Sequence, residues 1–257
     1  MQKNYTNTLK EKLKNGQFVL GTWCEIPDTT SINILAKSGL DFAIIDMEHG
    51  AMSYTIAQNM IMAAQCENCS PIIRVSQNSE SSILRALDLD PEGIIVPHIE
   101  NVKDREKVVN YSKFFPNGNR GFNPFIRACN YHKSDQDFLT KKNKETLICL
   151  ILEGKDSIEN IEEIISCEDV DVVYIGVYDL SVSMGVPGEV KHKLVLNALE
   201  NAVKIIRKKN KIAGCMIHSL EDIKYCKQMN IQFMTYKSDT SILYSGFKVV
   251  MEELKKL

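Results

Sequence analysis

Apolar runs and amphipathic stretches alternate along this chain from end to end. Short apolar runs predict eight buried strands: Phe18–Trp23, Phe42–Asp46, Pro71–Val75, Gly93–Pro97, Leu147–Leu152, Val170–Ile175, Ile212–Met216 and Gln232–Tyr236. Stretches with helical spacing follow these runs: Ser31–Ser38, Ile56–Glu67, Ser81–Leu89, Val102–Phe114, Ile158–Cys167, Leu194–Lys208, Leu220–Gln228 and Ile242–Leu257. Strand-then-helix units repeated in this way predict a (β/α)8 barrel, an α/β fold, with residues 1–257 as a single domain.

Two features bear on this prediction. A doubly wound open sheet is the alternative architecture, but no Gly-x-Gly-x-x-Gly follows the first strand, and such sheets usually contain fewer strands. One connection is long, because residues 115–146 show no strong period. Long loops inside compact domains are usually functional, so this one is predicted to be a lid or a subunit contact.

Composition limits the classes of function. Of the 257 residues, 44% are hydrophobic and 25% charged, and the net charge of -2 provides no basic field for nucleic acid. No apolar run approaches the roughly 20 residues of a membrane span, and the first residues lack the apolar core of a signal peptide. We therefore expect a cytoplasmic protein whose cysteines are reduced thiols, without a nucleic-acid or membrane partner.

Polar residues collect where the predicted strands end. Asp46, Glu48 and His49 directly follow a buried run, and a buried strand has no reason of its own to end in such residues. In a barrel, strand ends meet at one mouth, which gathers Trp23, Glu25, Asp46, Glu48, His49, Arg74, His98, Glu153, Tyr178, Asp179, His218 and Lys237. Carboxylates from two strands, an arginine and a histidine could hold a divalent cation and an anionic substrate.

Several of these residues have structural interpretations as well. Glu153 follows a strand directly but also precedes residues suited to capping the next helix, and Asp179 could cap a short turn. Arg74 interrupts an apolar run, where an unpaired charge is costly, which favours a functional role. His98 is interpreted as a hydrogen-bonded histidine of the rim without a catalytic role.

Short motifs in a fixed order give the chain a family resemblance over nearly its whole length. They are Gly21-Thr22-Trp23, Asp46-Met47-Glu48-His49-Gly50, Pro71-Ile72-Ile73-Arg74-Val75, Gly93-Ile94-Ile95-Val96-Pro97-His98-Ile99-Glu100, Arg120-Gly121, Leu152-Glu153, Ile175-Gly176-Val177-Tyr178-Asp179-Leu180-Ser181 and Ser238-Asp239-Thr240. With these motifs the chain resembles the HpcH/HpaI group of metal-dependent class II pyruvate aldolases, typified by 4-hydroxy-2-oxoheptanedioate aldolase.

The resemblance implies reversible cleavage of a 4-hydroxy-2-oxo acid to pyruvate, or a related 2-oxo acid, and an aldehyde. It implies a divalent cation (Mg²⁺, Mn²⁺ or Co²⁺) that chelates the 2-oxo acid. The implied metal ligands are Glu153 and Asp179, the catalytic residues are His49, its partner Asp88, and Arg74 at the keto oxygen, and the substrate-binding residues are Arg74, Tyr178, Asp179 and Trp23. Asp46 and Glu48 are then expected to contact and position the residues that bind metal and substrate, rather than to bind metal themselves.

The resemblance also implies the architecture and the assembly. Family members are TIM barrels of the phosphoenolpyruvate/pyruvate-domain type, in which subunits exchange the last helix and hexamers built as trimers of dimers are common. The terminal helix Ile242–Leu257 is therefore expected to contribute to a homo-oligomer.

Some positions depart from the family pattern. Tyr178 replaces an alanine, Ile151 replaces a frequent glutamine, Lys237 replaces a glycine, and the turn at residues 87–91 differs. The large Tyr178 ring at the turn that binds the substrate carboxylate suggests a divergent substrate. Our hypothesis is a sugar-derived oxo acid or one with a modified carboxyl end.

Three other functions stay open. Lys237 at the end of the last strand could form a Schiff base, although an exposed loop lysine is the simpler interpretation. The chain could be a barrel that binds a metabolite without catalysis, or a lyase acting on acyl-CoA thioesters. The complete set of charged residues at the strand ends argues against loss of catalysis.

Overall fold

The strands form one closed parallel barrel in the computed structural model, which describes residues 8–257. They are β1 (Val19–Cys24), β2 (Phe42–Asp46), β3 (Ser70–Arg74), β4 (Gly93–Val96), β5 (Leu147–Leu152), β6 (Val172–Ile175), β7 (Ile212–Ile217) and β8 (Phe233–Ser238). Each strand pairs with the next one along the chain, and β8 pairs with β1. The predicted (β/α)8 barrel is confirmed, and the open-sheet alternative is wrong.

Alternate strand residues fill the interior of the barrel, as the two-residue period of a strand requires. The interior cluster consists of Val19, Trp23, Phe42, Ile44, Ile72, Ile95, Leu147, Cys149, Ile151, Val172, Tyr174 and Phe233, with Leu9 and Leu13 from the first helix. The rings of Phe42 and Phe233 stack with centroids 4.2 Å apart. Gly21 allows this packing, because a Cβ atom there would lie 2.5 Å from the Phe42 ring.

Helices surround the barrel and cover the outward-facing strand residues. They are α1 (Leu9–Lys14), α2 (Thr29–Lys37), α3 (Tyr54–Cys66), α4 (Glu80–Asp88), α5 (Val102–Ser112), α6 (Gln136–Glu145), α7 (Lys155–Glu159), α8 (Ile161–Ile164), α9 (Val177–Ser183), α10 (Lys193–Lys208), α11 (Leu220–Met229) and α12 (Asp239–Leu254). The helix predicted over Ile158–Cys167 is wrong in extent, because α7 and α8 occupy this region as two short pieces.

The connection predicted to be irregular contains a helix of its own, α6. Asp135 caps this helix by accepting a hydrogen bond from the N–H of Phe138. Only Asn143 of α6 is buried, so the helix has no apolar stripe from which its period could be recognised. The rest of the connection includes a short 3₁₀ turn, Arg127–Cys129.

The last helix is the least covered of the described elements. Asp239 is the only buried residue within α12. Eight large apolar or aromatic side chains of α12 are between 38% and 70% exposed: Ile242, Leu243, Tyr244, Phe247, Val249, Val250, Met251 and Leu254. Exposed apolar surface of this extent is typical of interaction sites. None of the helices within residues 8–257 has the length and apolar character needed to cross a membrane.

Candidate active site

The candidate site continues the inward-facing rows of the barrel by one further step. Ile44, Ile72 and Ile151 point into the apolar interior, and the residues two positions later are Asp46, Arg74 and Glu153. Because inward positions recur every second residue, these three charged side chains are directed toward the axis at the C-terminal mouth. Each inward-facing row therefore supplies an apolar side chain to the barrel interior and a charged side chain to the mouth.

Asp46 and Arg74 form the most buried ion pair of the mouth. Arg74 Nε donates to Asp46 Oδ1 at 2.9 Å, and a second guanidinium nitrogen contacts Asp46 Oδ2. Asp46 is fully buried, and its Oδ1 also accepts the backbone N–H groups of Glu48 and His49 at 3.0 and 3.2 Å. Asp46 thus holds both the turn after β2 and the plane of the guanidinium group.

Arg74 stays positively charged in this setting. Burial alone would lower its pKa, but the hydrogen bond and charge of Asp46 raise the pKa above its usual value. The guanidinium carbon lies 4.5 Å from the centroid of the Trp23 ring, and Trp23 Nε1 donates to Thr235 Oγ1 at 3.0 Å. Trp23, predicted to bind substrate, is buried beneath Arg74 as a support for it.

Glu153 lies at the end of β5, and its two oxygens have different surroundings. Oε1 accepts the backbone N–H of His98 at 2.9 Å and lies 2.9 Å from His98 Nδ1. Within residues 8–257, Oε2 takes part in no hydrogen bond. Burial raises the pKa of Glu153 above its usual value, and the charge of Asp179 adds to this rise.

Gly176 leaves the space that Glu153 occupies. A Cβ atom on Gly176 would lie 2.8 Å from Glu153 Cβ and 2.9 Å from Oε2. Helix α9 begins directly after Gly176, and its first turn contains Tyr178 and Asp179, both exposed. No side chain caps the start of α9, so the capping interpretation of Asp179 is wrong.

Two carboxylates of neighbouring strand ends, Glu153 and Asp179, fit a hard divalent cation. Burial is the main cause of the raised pKa of Glu153, and the negative charge of Asp179 adds to it; a cation between the two carboxylates would offset both effects. Residues 8–257 contain no group of three His, Cys, Asp or Glu residues arranged for a metal. Cations such as Mg²⁺ take few carboxylates and leave positions for water and substrate oxygens, so the donor set matches that class.

The structure does not bring His49 and Asp88 together. Asp88, at the end of α4, forms an ion pair of 3.0 Å with the buried Arg120. His49 is exposed, and within the described chain its side chain forms no hydrogen bond or ion pair. The pairing implied by the resemblance is therefore absent within this protomer, and the role of His49 stays a prediction.

The far side of the mouth is formed by residues that follow β6 and β7 and by the last residues of β8. The rings of Tyr178 and His218 meet edge to face, with centroids 5.6 Å apart. Lys237 Nζ lies 5.3 Å from the centroid of the neighbouring Tyr236 ring. Tyr178, the main departure from the family pattern, thus stands at the edge of the site beside Asp179.

His98, interpreted from the sequence as a hydrogen-bonded histidine of the rim, is exposed and contacts two carboxylates. Its Nε2 lies 2.8 Å from Glu48 Oε1, while Nδ1 faces Glu153. Glu48 Oε2 in turn lies 2.9 Å from Arg74 Nη1. The signal in the sequence is the position of His98, two residues after the apolar strand β4. This strand lies between β3, which ends in Arg74, and β5, which Glu153 follows directly.

Comparison with known proteins identifies relatives of this chain over most of its length. The chain is 28% identical over 237 residues to 4-hydroxy-2-oxo-heptane-1,7-dioate aldolase of Shigella flexneri, covering 92% of this chain and 89% of that one. It is 27% identical over 240 residues to 2-keto-3-deoxy-L-rhamnonate aldolase of Escherichia coli O17:K52:H18 (strain UMN026 / ExPEC), covering 93% and 90%.

A solved structure shares the whole fold. Citrate synthase SbnG superposes with a TM-score of 0.89 at 27% identity, covering 97% of this chain and 98% of that one. The family described as HpcH/HpaI aldolase/citrate lyase matches residues 20–244. The chain therefore belongs to the HpcH/HpaI aldolase/citrate lyase family and is a carbon–carbon lyase.

Proposed function

We propose that the protein is a divalent-metal-dependent aldolase that reversibly cleaves a 4-hydroxy-2-oxo acid to pyruvate, or a related 2-oxo acid, and an aldehyde. The observation that carries this proposal is the joint placement of Arg74, Glu153 and Asp179 around one mouth. A fixed guanidinium group opposite two carboxylates suits a substrate that is anionic and develops further negative charge on its keto oxygen during cleavage.

Glu153 and Asp179 would hold the cation, Mg²⁺, Mn²⁺ or Co²⁺. When bound, the cation supplies Lewis-acid polarisation of the 2-oxo acid. Arg74 would donate N–H groups to the keto oxygen and to the enolate that follows from it. Because Asp46 holds the guanidinium plane on its other edge, these donors need little reorganisation during the reaction.

His49 would accept the proton of the C4 hydroxyl group and return it in the reverse direction. Its side chain is exposed at the mouth, and in the described chain it is not engaged by an ion pair. A neutral imidazole that forms no other contact has a ring nitrogen available as an acceptor. Within the protomer Asp88 forms an ion pair with Arg120, so we assign this proton transfer to His49.

Tyr178 would restrict which 2-oxo acid the site accepts. Its ring stands beside Asp179 and is about half exposed, where it narrows the region next to the metal ligands. A narrower region at this position supports the hypothesis of a divergent substrate, such as a sugar-derived oxo acid.

The experiment is product formation from pyruvate and a panel of simple and sugar aldehydes, with Mg²⁺ or Mn²⁺ and then with excess chelator. The proposal requires turnover that chelator removes. Trapping with borohydride in the presence of substrate would instead mark Lys237 as a Schiff-base residue. Efficient turnover of simple aldehydes would contradict the divergent substrate while supporting the aldolase.

We also propose that the occupant of the exposed α12 surface is a second copy of this chain, in a homo-oligomer. The helix carries a long row of exposed apolar side chains and contacts its own barrel mainly at its first residues. Burial of such surface drives association of subunits. Light scattering should give a mass above 29.1 kDa per particle, and Phe247→Glu with Val250→Glu should reduce it to that of one chain.

A further inference from the structure

His98 makes three polar contacts with the carboxylates of the site. Its backbone N–H and Nδ1 are both 2.9 Å from Glu153 Oε1, and its Nε2 is 2.8 Å from Glu48 Oε1. One residue at the end of β4 therefore joins the end of β2 to the end of β5. Both ring nitrogens are used, so the imidazole has little rotational freedom.

The backbone at His98 is held in an unfavourable conformation. Its φ of +56° lies in the left-handed region, which is unfavourable for a non-glycine residue. This conformation accompanies the hydrogen bond from its own N–H to Glu153. The contacts with Glu153 thus offset a local strain, a situation typical of residues kept for the geometry of a site.

Core packing does not account for His98. Its side chain is 64% exposed, so removal of the ring leaves no cavity in the interior. The neighbouring inward residue below Glu153 is the apolar Ile151, which offers no hydrogen bond. The polar support of Glu153 therefore comes from β4 rather than from its own strand.

The contacts of His98 extend to the guanidinium group. Glu48 Oε1 contacts His98, and Glu48 Oε2 contacts Arg74 Nη1 at 2.9 Å. A change at His98 releases one side of Glu48, and with it one of the two carboxylates that hold Arg74.

From these contacts we propose that His98 is a positioning residue, which fixes Glu153 for the cation and, through Glu48, fixes Arg74 for the keto oxygen. The catalytic meaning of this role rests on the proposed function. The positioning itself does not, because it concerns side chains of the metal-free protein.

Trp23 provides a readout that needs neither metal nor substrate. It is the single tryptophan of the chain, and Arg74 lies over its ring at 4.5 Å. We expect His98→Ala to change the emission of metal-free protein in the same direction as Arg74→Met, and to add little in the Arg74→Met background. His132→Ala, an exposed histidine of the 115–146 connection, is the matched control and should leave the emission unchanged.

Metal affinity and enolisation give the functional readouts. His98→Ala should weaken Mn²⁺ binding in calorimetry about tenfold or more, as loss of the groups that orient metal ligands typically does. It should lower kcat for deuterium exchange at C3 of pyruvate more than it changes KM. His98→Asn, which tolerates the left-handed backbone, should restore part of the metal affinity, because its short side chain can replace only the contact near Glu153.

The outcomes separate the two proposals. Wild-type protein that neither binds Mn²⁺ nor exchanges deuterium contradicts the proposed function, and the Trp23 emission then decides the role of His98 alone. A His98→Ala protein with wild-type emission and wild-type Mn²⁺ affinity overturns the positioning role.

Discussion

Gly176 and Glu153 are in such close contact that no larger residue fits at position 176. An added Cβ atom would lie 2.8 Å from Glu153 Cβ and 2.9 Å from its Oε2. The first atom belongs to the rigid start of a side chain at the end of a buried strand, so it cannot move aside at low cost. Glu153 can therefore occupy its observed position only if the residue before α9 is glycine.

Gly176→Ala is therefore expected to displace Glu153 without unfolding the barrel. Overpacking of this kind costs about 1–3 kcal/mol of stability, and the affinity for Mn²⁺ should fall about tenfold or more. Chemical denaturation and calorimetry measure the two effects. Gly246→Ala is the control, since its Cβ would meet nothing within 4 Å; it should keep wild-type affinity. Equal Mn²⁺ affinity in both variants would contradict the contact argument.

Arg74→Lys should lose activity while the protein keeps its fold. A lysine keeps the positive charge near Asp46 but not the planar fork that binds two carboxylates and still presents donors to substrate. We expect kcat to fall about a hundredfold, in the range seen when a donor to a developing oxyanion is removed. Arg74→Met should in addition lose about 3 kcal/mol of stability, because Asp46 is left buried without its partner. Activity of Arg74→Lys near wild type would exclude the proposed role.

His49→Ala separates proton transfer from folding. The side chain is exposed and forms no ion pair within the described residues, so the free energy of unfolding should change by less than about 0.5 kcal/mol. Loss of a general base should lower kcat for cleavage about 100-fold to 10,000-fold. Asp88→Asn should behave in the opposite way, with lower stability through Arg120 and a smaller effect on cleavage. Equal loss of cleavage in both variants would indicate that the two residues do act together, in a contact outside this protomer.

His218 should make the stability of the protein depend on pH. Burial lowers the pKa of His218 below its usual value of 6.5, the charge of Asp222 opposes this, and the charges of Lys191 and Lys237 add to it. Below pH 6.5 the unfolded chain therefore binds a proton that the folded protein takes up only at lower pH. The free energy of unfolding consequently decreases as pH falls from 6.5 through the pKa of His218 in the folded protein. Melting temperatures between pH 7.5 and 5 should fall less steeply for His218→Gln than for wild type. Parallel curves would contradict the assignment.

The sequence predicts the barrel well because each strand is a continuous apolar run. Phe42–Asp46 and Leu147–Leu152 are found with the predicted bounds, since both faces of these strands are buried and the run ends where the mouth begins. Helix α6 was missed for the opposite reason: its exposed polar sequence contains no apolar period. A hydrophobic period in the sequence therefore predicts only those helices and strands that bury an apolar face.

The site follows the same rule. Asp46, Arg74 and Glu153 are predictable because each interrupts or ends an apolar row and therefore must face the mouth. His98 is not predictable in this way, since its role depends on a left-handed backbone and on two carboxylates that arrive from other strands. The ion pair of Asp88 likewise involves a distant residue, Arg120, which lies in the irregular connection after α5. Contacts between distant segments leave no local pattern.

The most direct test of the proposed metal-assisted chemistry is deuterium exchange at C3 of pyruvate, followed by proton NMR in D₂O. This exchange requires enolate formation but no aldehyde, so it does not depend on the identity of the second substrate. The account predicts exchange that needs Mg²⁺ or Mn²⁺, stops with chelator and in Glu153→Gln, and persists in Lys237→Met. Exchange that survives chelator and is lost in Lys237→Met would contradict it.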